Sequence, residues 1–257
     1  EAAVPAILRC LDEQDERVAS EALHIATNRL PLSAEVAKAL MALASNPKQP
    51  QDRRHHALLA LADQKPAPAP VISLLVSELD AEDYQVRIEV VRALAGSPDG
   101  AVEAAKALLR KVQSCASDWQ LRSQTLELIE ILQDALTAET VAALSAHPSS
   151  GQWAERELVP LVSDPSGPCD RDVRSSAATL LGIMAPNVSV AKLAPLIRDP
   201  DQEIRRAAIL GLCEVPTDAA IPVFLDVVEH APMDVRSDVV DFFFADRKTV
   251  WMHQPKE

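Results

Sequence analysis

Glycine occurs only 6 times in the 257 residues, and aromatic side chains make up 3 % of them. So little glycine argues against flexible linkers and disorder, and so few rings leave Ala, Leu, Val and Ile to build the core. Basic residues are also in the minority: 25 Lys and Arg face 38 Asp and Glu, a formal charge of −13. Binding to a phosphate backbone draws on clustered Lys and Arg, so no nucleic acid is expected as a partner. The four cysteines, Cys10, Cys115, Cys169 and Cys213, show no CxxC spacing. They read as reduced thiols, with Cys169 the accessible one in a polar connection. No apolar run reaches the ~18 residues of a membrane span, and no signal peptide is visible. A cytoplasmic protein without membrane insertion is the expectation. Glu1 stands first, without a methionine, and either loss of an upstream segment or excision from a longer polypeptide fits that start.

Proline, by contrast, occurs 19 times and hydrophobic residues reach 48 %, a balance that suits helices punctuated at their first turns and connections. A motif of Asp, two residues, an apolar residue and Arg recurs as Asp83–Arg87, Asp118–Arg122, Asp170–Arg174 and Asp201–Arg205. Anchoring on the position before the Arg gives Val18, Arg53, Val86, Leu121, Val173, Ile204 and Val235, at steps of 35, 33, 35, 52, 31 and 31 residues. Self-similarity at such a period marks units that must stack to bury their apolar faces. From each anchor the positions +4, +5, +7 and +8 are apolar or small, as in Ala177, Ala178, Leu180 and Leu181, which is one face of a helix. A second amphipathic stretch precedes each anchor, such as Ile72, Leu75, Val76 and Leu79, so each unit is a helical hairpin.

Asp15, Asp83, Asp118, Asp170 and Asp201 sit three residues before their anchors, where an N-cap belongs, and Pro50 and Pro232 replace them in the other copies. Pro5, Pro160 and Pro222 fall 13 residues before theirs, near the expected start of the first helix. The 52-residue step exceeds the rest by roughly 19 residues, enough for one further helix over Thr137–Ala146 and then a Pro148–Gly151 turn. The expected architecture is all-α: a right-handed α-solenoid of about seven hairpins plus one extra helix, about fifteen helices, forming a single domain over 1–257. Its irregular segment is 134–169, and 245–257 is either a carboxyl-terminal cap or part of a docking patch.

A proline-bearing first helix, an Asp cap and a Val-Arg-x-x-Ala-Ala-x-x-Leu second helix resemble HEAT repeats, in particular the short phycobilisome-lyase-like subtype. Val159–Met184 and Leu193–Leu212 match best. Such a resemblance implies a scaffold or adaptor in most cases. In a minority it implies a chromophore lyase subunit, a DNA-repair enzyme or an appendage of a redox enzyme, and the fold itself carries no chemistry across. Copy 2 departs from the pattern with Arg53 at the apolar anchor and no Asp cap, and copy 1 has Ala19 in place of the Arg.

Arg54, Arg87, Arg122, Arg174, Arg205 and Arg236 occupy equivalent positions in six copies. They are expected to form a structural ladder tying units together through carboxylates or helix-end carbonyls, rather than an open row of guanidiniums. His24, His55 and His56 do not complete a spaced ligand set, so no metal is expected. No Gly-x-Ser-x-Gly, Gly-rich phosphate loop or His-Glu-x-x-His motif is present. Catalytic residues and cofactors are therefore not expected from local motifs, although a site assembled from distant repeats would leave none.

Five of the eight aromatics, Phe224, Phe242, Phe243, Phe244 and Trp251, gather at the carboxyl end. Two readings fit: residues 245–257 fold back as a cap with Trp251 as its plug, or Phe244, Trp251 and the acidic stripe Asp234, Asp238 and Asp241 form a docking patch. Trp119 and Trp153 flank the irregular segment, and Trp153 either anchors a partner or fills space around the inserted helix. The functional expectation is a non-catalytic scaffold or adaptor for an unidentified protein partner, within a larger complex. The alternative is a bilin-lyase-like chromophore-handling subunit or an accessory repeat domain of a redox enzyme.

Overall fold

Helices form where the anchors lie. The computed structural model describes residues 4–11, 13, 15–29, 33–62, 68–115, 117–163, 171–215 and 218–245, with Pro148, Phe242, Phe243, Phe244 and Ala245 described by backbone alone. Among the described residues all regular structure is helical. First and second helices alternate as α1 (Val4–Cys10) and α2 (Glu16–Asn28), α3 (Ala34–Ala44) and α4 (Gln51–Ala62), α5 (Ala69–Glu78) and α6 (Tyr84–Ala95). Then come α7 (Pro98–Ser114) and α8 (Trp119–Ala135), followed by the extra helix α9 (Ala138–Ala146). In the fifth copy α10 (Pro148–Trp153), a π-helical turn at Ala154–Leu158 and α11 (Val159–Ser163) run on as one helix before α12 (Arg171–Met184). The sixth has α13 (Pro186–Leu193), prolonged by a 3-10 stretch at Ala194–Arg198, and α14 (Gln202–Cys213). The seventh has a 3-10 turn at Asp218–Ala220 leading into α15 (Ile221–His230), then α16 (Met233–Ala245). Joined segments counted once, these are fifteen continuous helices among the described residues.

The expected caps are in place. Asp15 accepts from the Arg17 amide at 2.9 Å, Asp83 from Gln85 at 2.8 Å, Asp118 from Leu121 at 3.0 Å and Asp201 from Glu203 at 2.8 Å. Each bond satisfies an amide that the helix cannot, a contribution of about 1 kcal/mol. Asp170 and Cys169 lie outside the described residues. The extra helix starts at Thr137, whose Oγ1 accepts from the Thr140 amide at 3.2 Å.

Two local expectations are corrected. Pro148–Gly151 is the first turn of α10 rather than a turn between helices, because Pro148 stands at the position where a missing N–H costs nothing. Pro160 consequently lies well inside a continuous helix instead of near its start. It cannot donate to the carbonyl four residues back, and the widened turn at Ala154–Leu158, closed by the Val159 amide on the Ala154 carbonyl, absorbs that gap.

Contacts divide the chain into two compact units, Glu1–Ala104 and Ala105–Glu257, where the sequence reading takes 1–257 as one domain. In the first unit α2, α4 and α6 pack side by side, each against its own first helix. Leu23, Leu40, Leu58, Leu61, Leu75 and Leu94 are its large core residues, all at most 4 % exposed. Each contributes roughly 1.5–3 kcal/mol by leaving water. In the second unit α12 lies at the centre, against α14, α8, α9 and α11, and α14 in turn packs on α16. Glycines set the α12–α14 spacing. A Cβ on Gly211 would stand 2.7 Å from the Ala178 carbonyl oxygen, and one on Gly182 would press onto the Gly211 carbonyl. Among the described residues no helix is long and apolar enough to cross a membrane.

Candidate functional site

A helix that buries positions +4, +5, +7 and +8 turns the positions between them outward. In the first unit the outward residues of three successive second helices line a groove of about 830 Å³. Glu16, Ser20 and His24 come from α2, four residues apart and therefore on one stripe; Asp52 and His56 come from α4; Glu89 and Arg92 come from α6. These seven side chains are exposed. Leu23, Leu59, Ala60 and Ala93 give the groove an apolar floor between the charges.

Arg53 also lines this groove, yet it is only 8 % exposed. It occupies the anchor position that the other six copies fill with Val, Leu or Ile. Its Nη1 reaches Gln49 Oε1 at 3.5 Å, the outer limit of a hydrogen bond, and its buried Nε has no partner. The neighbouring histidines diverge because adjacent helical positions differ by about 100°: His56 opens to the groove, while His55 is 3 % exposed. His55 Nε2 lies 2.7 Å from Glu89 Oε2 on the next copy, and its Nδ1 is buried without a partner. Among the described residues no group of three or more His, Cys, Asp or Glu could hold a metal ion.

The arginines expected to form a ladder are mostly turned inward. Arg54 pairs with Glu78 at 3.7 Å. Arg87 donates to the Ala81 carbonyl at 2.7 Å, and its guanidinium carbon stands 5.2 Å from the centre of the Tyr84 ring. Arg174 is 7 % exposed, and Arg236 is half-buried. In the second unit two of them reach across to the following copy: Arg122 Nε donates to Asp172 Oδ2 at 3.0 Å, and Arg205 Nε to Asp238 Oδ2 at 2.7 Å. Arg205 also donates to the Asp199 and Pro200 carbonyls at 3.0 and 3.1 Å, and Gln202 donates to Asp238 Oδ1 at 2.9 Å. Burial works against the Asp238 charge, but the hydrogen bonds from Gln202 and Arg205 and the Arg205 charge outweigh it and hold the carboxyl below its ordinary value.

That arrangement corrects the acidic stripe. Asp238 is 8 % exposed and committed to Arg205, whereas Asp234 and Asp241 are exposed on α16. Of the two readings of Trp153, burial favours the one that fills space. The residue is 2 % exposed, with its Nε1 donating to Glu157 Oε2 at 3.1 Å. An indole so buried is not available as a surface anchor. Trp119, at 78 %, is the exposed indole of the pair. Trp251 and the residues after 245 lie outside the described residues, as does the side chain of Phe244. On α15, Ile221, Leu225 and Val228 are 50, 56 and 45 % exposed.

Sequence reasoning marked Arg53 as a departure and gave it no role. His55 with Glu89, 34 residues apart, was not legible at all, because spacing within one copy says nothing of which residue the next copy sets opposite.

The family model for HEAT repeats matches residues 155–241. No curated protein matches the chain significantly. Among solved structures, Kap95p with RanGDP is 15 % identical with a TM-score of 0.46, the similarity covering 98 % of this chain and 35 % of that one. The chain thus spans about a third of that protein's length. The complex of CpcE and CpcF of phycocyanin lyase from a Nostoc species is 15 % identical with a TM-score of 0.37, covering 92 and 93 % of the two chains. A designed armadillo repeat protein in complex with the peptide (KR)4 is 17 % identical with a TM-score of 0.28, covering 92 and 96 %. Residues 155–241 thus resemble HEAT repeats, and helical hairpins with Asp-capped second helices continue the pattern on their amino-terminal side.

Proposed function

We propose that the chain is a non-catalytic scaffold that holds a protein partner along its second helices. The observation that carries this reading is the groove of the first unit. Three copies contribute outward-facing polar side chains to one open surface of about 830 Å³, a size suited to contacts distributed over several residues. Hairpins of this kind gain their stability from neighbours, so the outward positions are free to vary toward a partner. The carboxyl end is a second contact region in this reading. Asp234 and Asp241 stand there with Met233, which is 73 % exposed, and Phe244 and Trp251 follow in sequence. Exposed Trp119 is a further anchor, since large rings supply much of the energy of interfaces.

The test is affinity capture on the immobilised chain from a lysate of its source, read by mass spectrometry. Wild type is compared with the double variant Asp52→Lys, Arg92→Glu, after its thermal melt is shown to match. The expected result is a protein retained by wild type and depleted at least tenfold by the variant. Equal retention by both, or a purified chain that carries a coloured cofactor and retains no protein, would sink the reading.

A further inference from the structure

Arg53 is a charged side chain at a position that the other six copies fill with Val, Leu or Ile. A guanidinium that is only 8 % exposed loses most of its hydration, and that loss is offset when a carboxylate and hydrogen bonds replace the water. Three of the other arginines have such a carboxylate: Arg205 has Asp238, Arg122 has Asp172 and Arg54 has Glu78, although Arg54 and Arg236 also leave a buried Nε unpaired. For Arg53 no carboxylate lies within ion-pair distance among the described residues. Its contacts are one long bond to Gln49 and an Nε with no partner. The same side chain forms part of the wall of the groove.

We infer that Arg53 receives one side-chain carboxylate from an extended segment of the partner protein. This rests on the scaffold reading and assigns its partner a chemistry. Guanidinium presents a planar fork of donors that a carboxylate matches with two parallel bonds. Arg92 and His56 stand in the same groove to meet the approaching charge, and Leu23, Leu59, Ala60 and Ala93 accept the aliphatic stem behind it. Glu16, Asp52 and Glu89 on the same surface repel a run of negative charges. The occupant is therefore a segment with a single acidic residue among neutral ones, not a polyanion. The groove is also far larger than an inorganic anion requires.

The experiment follows the Arg53 Nε–Hε resonance and the backbone amides of α4 and α6 in the full chain by nitrogen–proton correlation spectra. The titrants are acetyl-Gly-Gly-Glu-Gly-Gly-amide, the same peptide with Gln at the centre, and inorganic phosphate. Saturable shifts with the Glu peptide, and binding at least tenfold weaker with the Gln peptide, are expected. Arg53→Leu restores the residue type of the other copies; it should melt no lower than wild type and lose Glu-peptide binding at least tenfold. Should that variant not fold, the Glu and Gln peptides on wild type still decide the matter. No saturable shift, equal binding of the two peptides, binding retained in Arg53→Leu, or saturation by phosphate at the concentrations that suffice for the Glu peptide would each overturn the inference. A captured partner whose retention Arg53→Leu leaves unchanged overturns it as well while the scaffold reading stands; a chain that captures nothing removes the scaffold reading itself.

Discussion

Asp238→Ala takes the carboxylate from an ion pair whose two side chains are 8 and 7 % exposed, so solvent does little to screen the loss. Arg205 then keeps its charge inside the second unit with only the Asp199 and Pro200 carbonyls as acceptors, and Gln202 loses its acceptor. Removing one member of a buried pair costs about 3–5 kcal/mol. The two remaining carbonyl bonds place this case at the low end, about 3 kcal/mol, or a fall in melting temperature of about 6–12 °C for a unit of this size. Urea unfolding followed by circular dichroism measures it, with exposed Asp234→Ala as control. The double variant Arg205→Met, Asp238→Leu should regain most of the loss, because a buried pair replaced by apolar groups of like volume is often neutral. A single-variant loss no larger than that of Asp234→Ala would refute the account of how these copies are tied together.

Three further outcomes follow from the same contacts. Asp238 has a folded-state value below its ordinary 3.8, so its contribution is full above that value and disappears as pH falls through the lower one; stability in wild type should drop in that window, and the drop should shrink in the double variant. Gly211→Ala places a Cβ 2.7 Å from the Ala178 carbonyl and 2.6 Å from Leu193 Cδ1, and overpacking of about 1–3 kcal/mol should exceed the helix-propensity gain of about 1 kcal/mol; a melt equal to or above wild type would count against the close α12–α14 contact. Trp153→Ala should cost about 3–5 kcal/mol and leave partner capture per folded molecule unchanged, whereas Trp119→Ala should weaken capture without moving the melt; the reverse pattern would restore Trp153 as a surface anchor.

Most of the fold was legible because the signals are local. The apolar face of each second helix, its Asp cap and the long step that holds α9 all depend on residues within one copy. Pro148 and Pro160 were misplaced for a physical reason: proline marks a first turn by default, and a π-helical turn that tolerates one inside a helix has no sequence signature. The site was less legible. Helical periodicity assigns a residue to a face but not to its opposite number on the next copy, so neither the Asp238–Arg205 pair nor the burial of Trp153 can be read from the sequence. Arg53 was visible as a departure from the repeat. That it is buried, lines a groove and has no carboxylate partner required the stacking of α2, α4 and α6.

The central claim is that the partner sits on the second helices of the first unit. Hydrogen–deuterium exchange on the full chain, with and without the captured partner, tests it directly. Slowed exchange is expected in 16–28, 51–62 and 84–95, at the groove-facing turns around His24, Arg53, His56 and Glu89. A bound partner that leaves those three helices unchanged and protects other segments would contradict it.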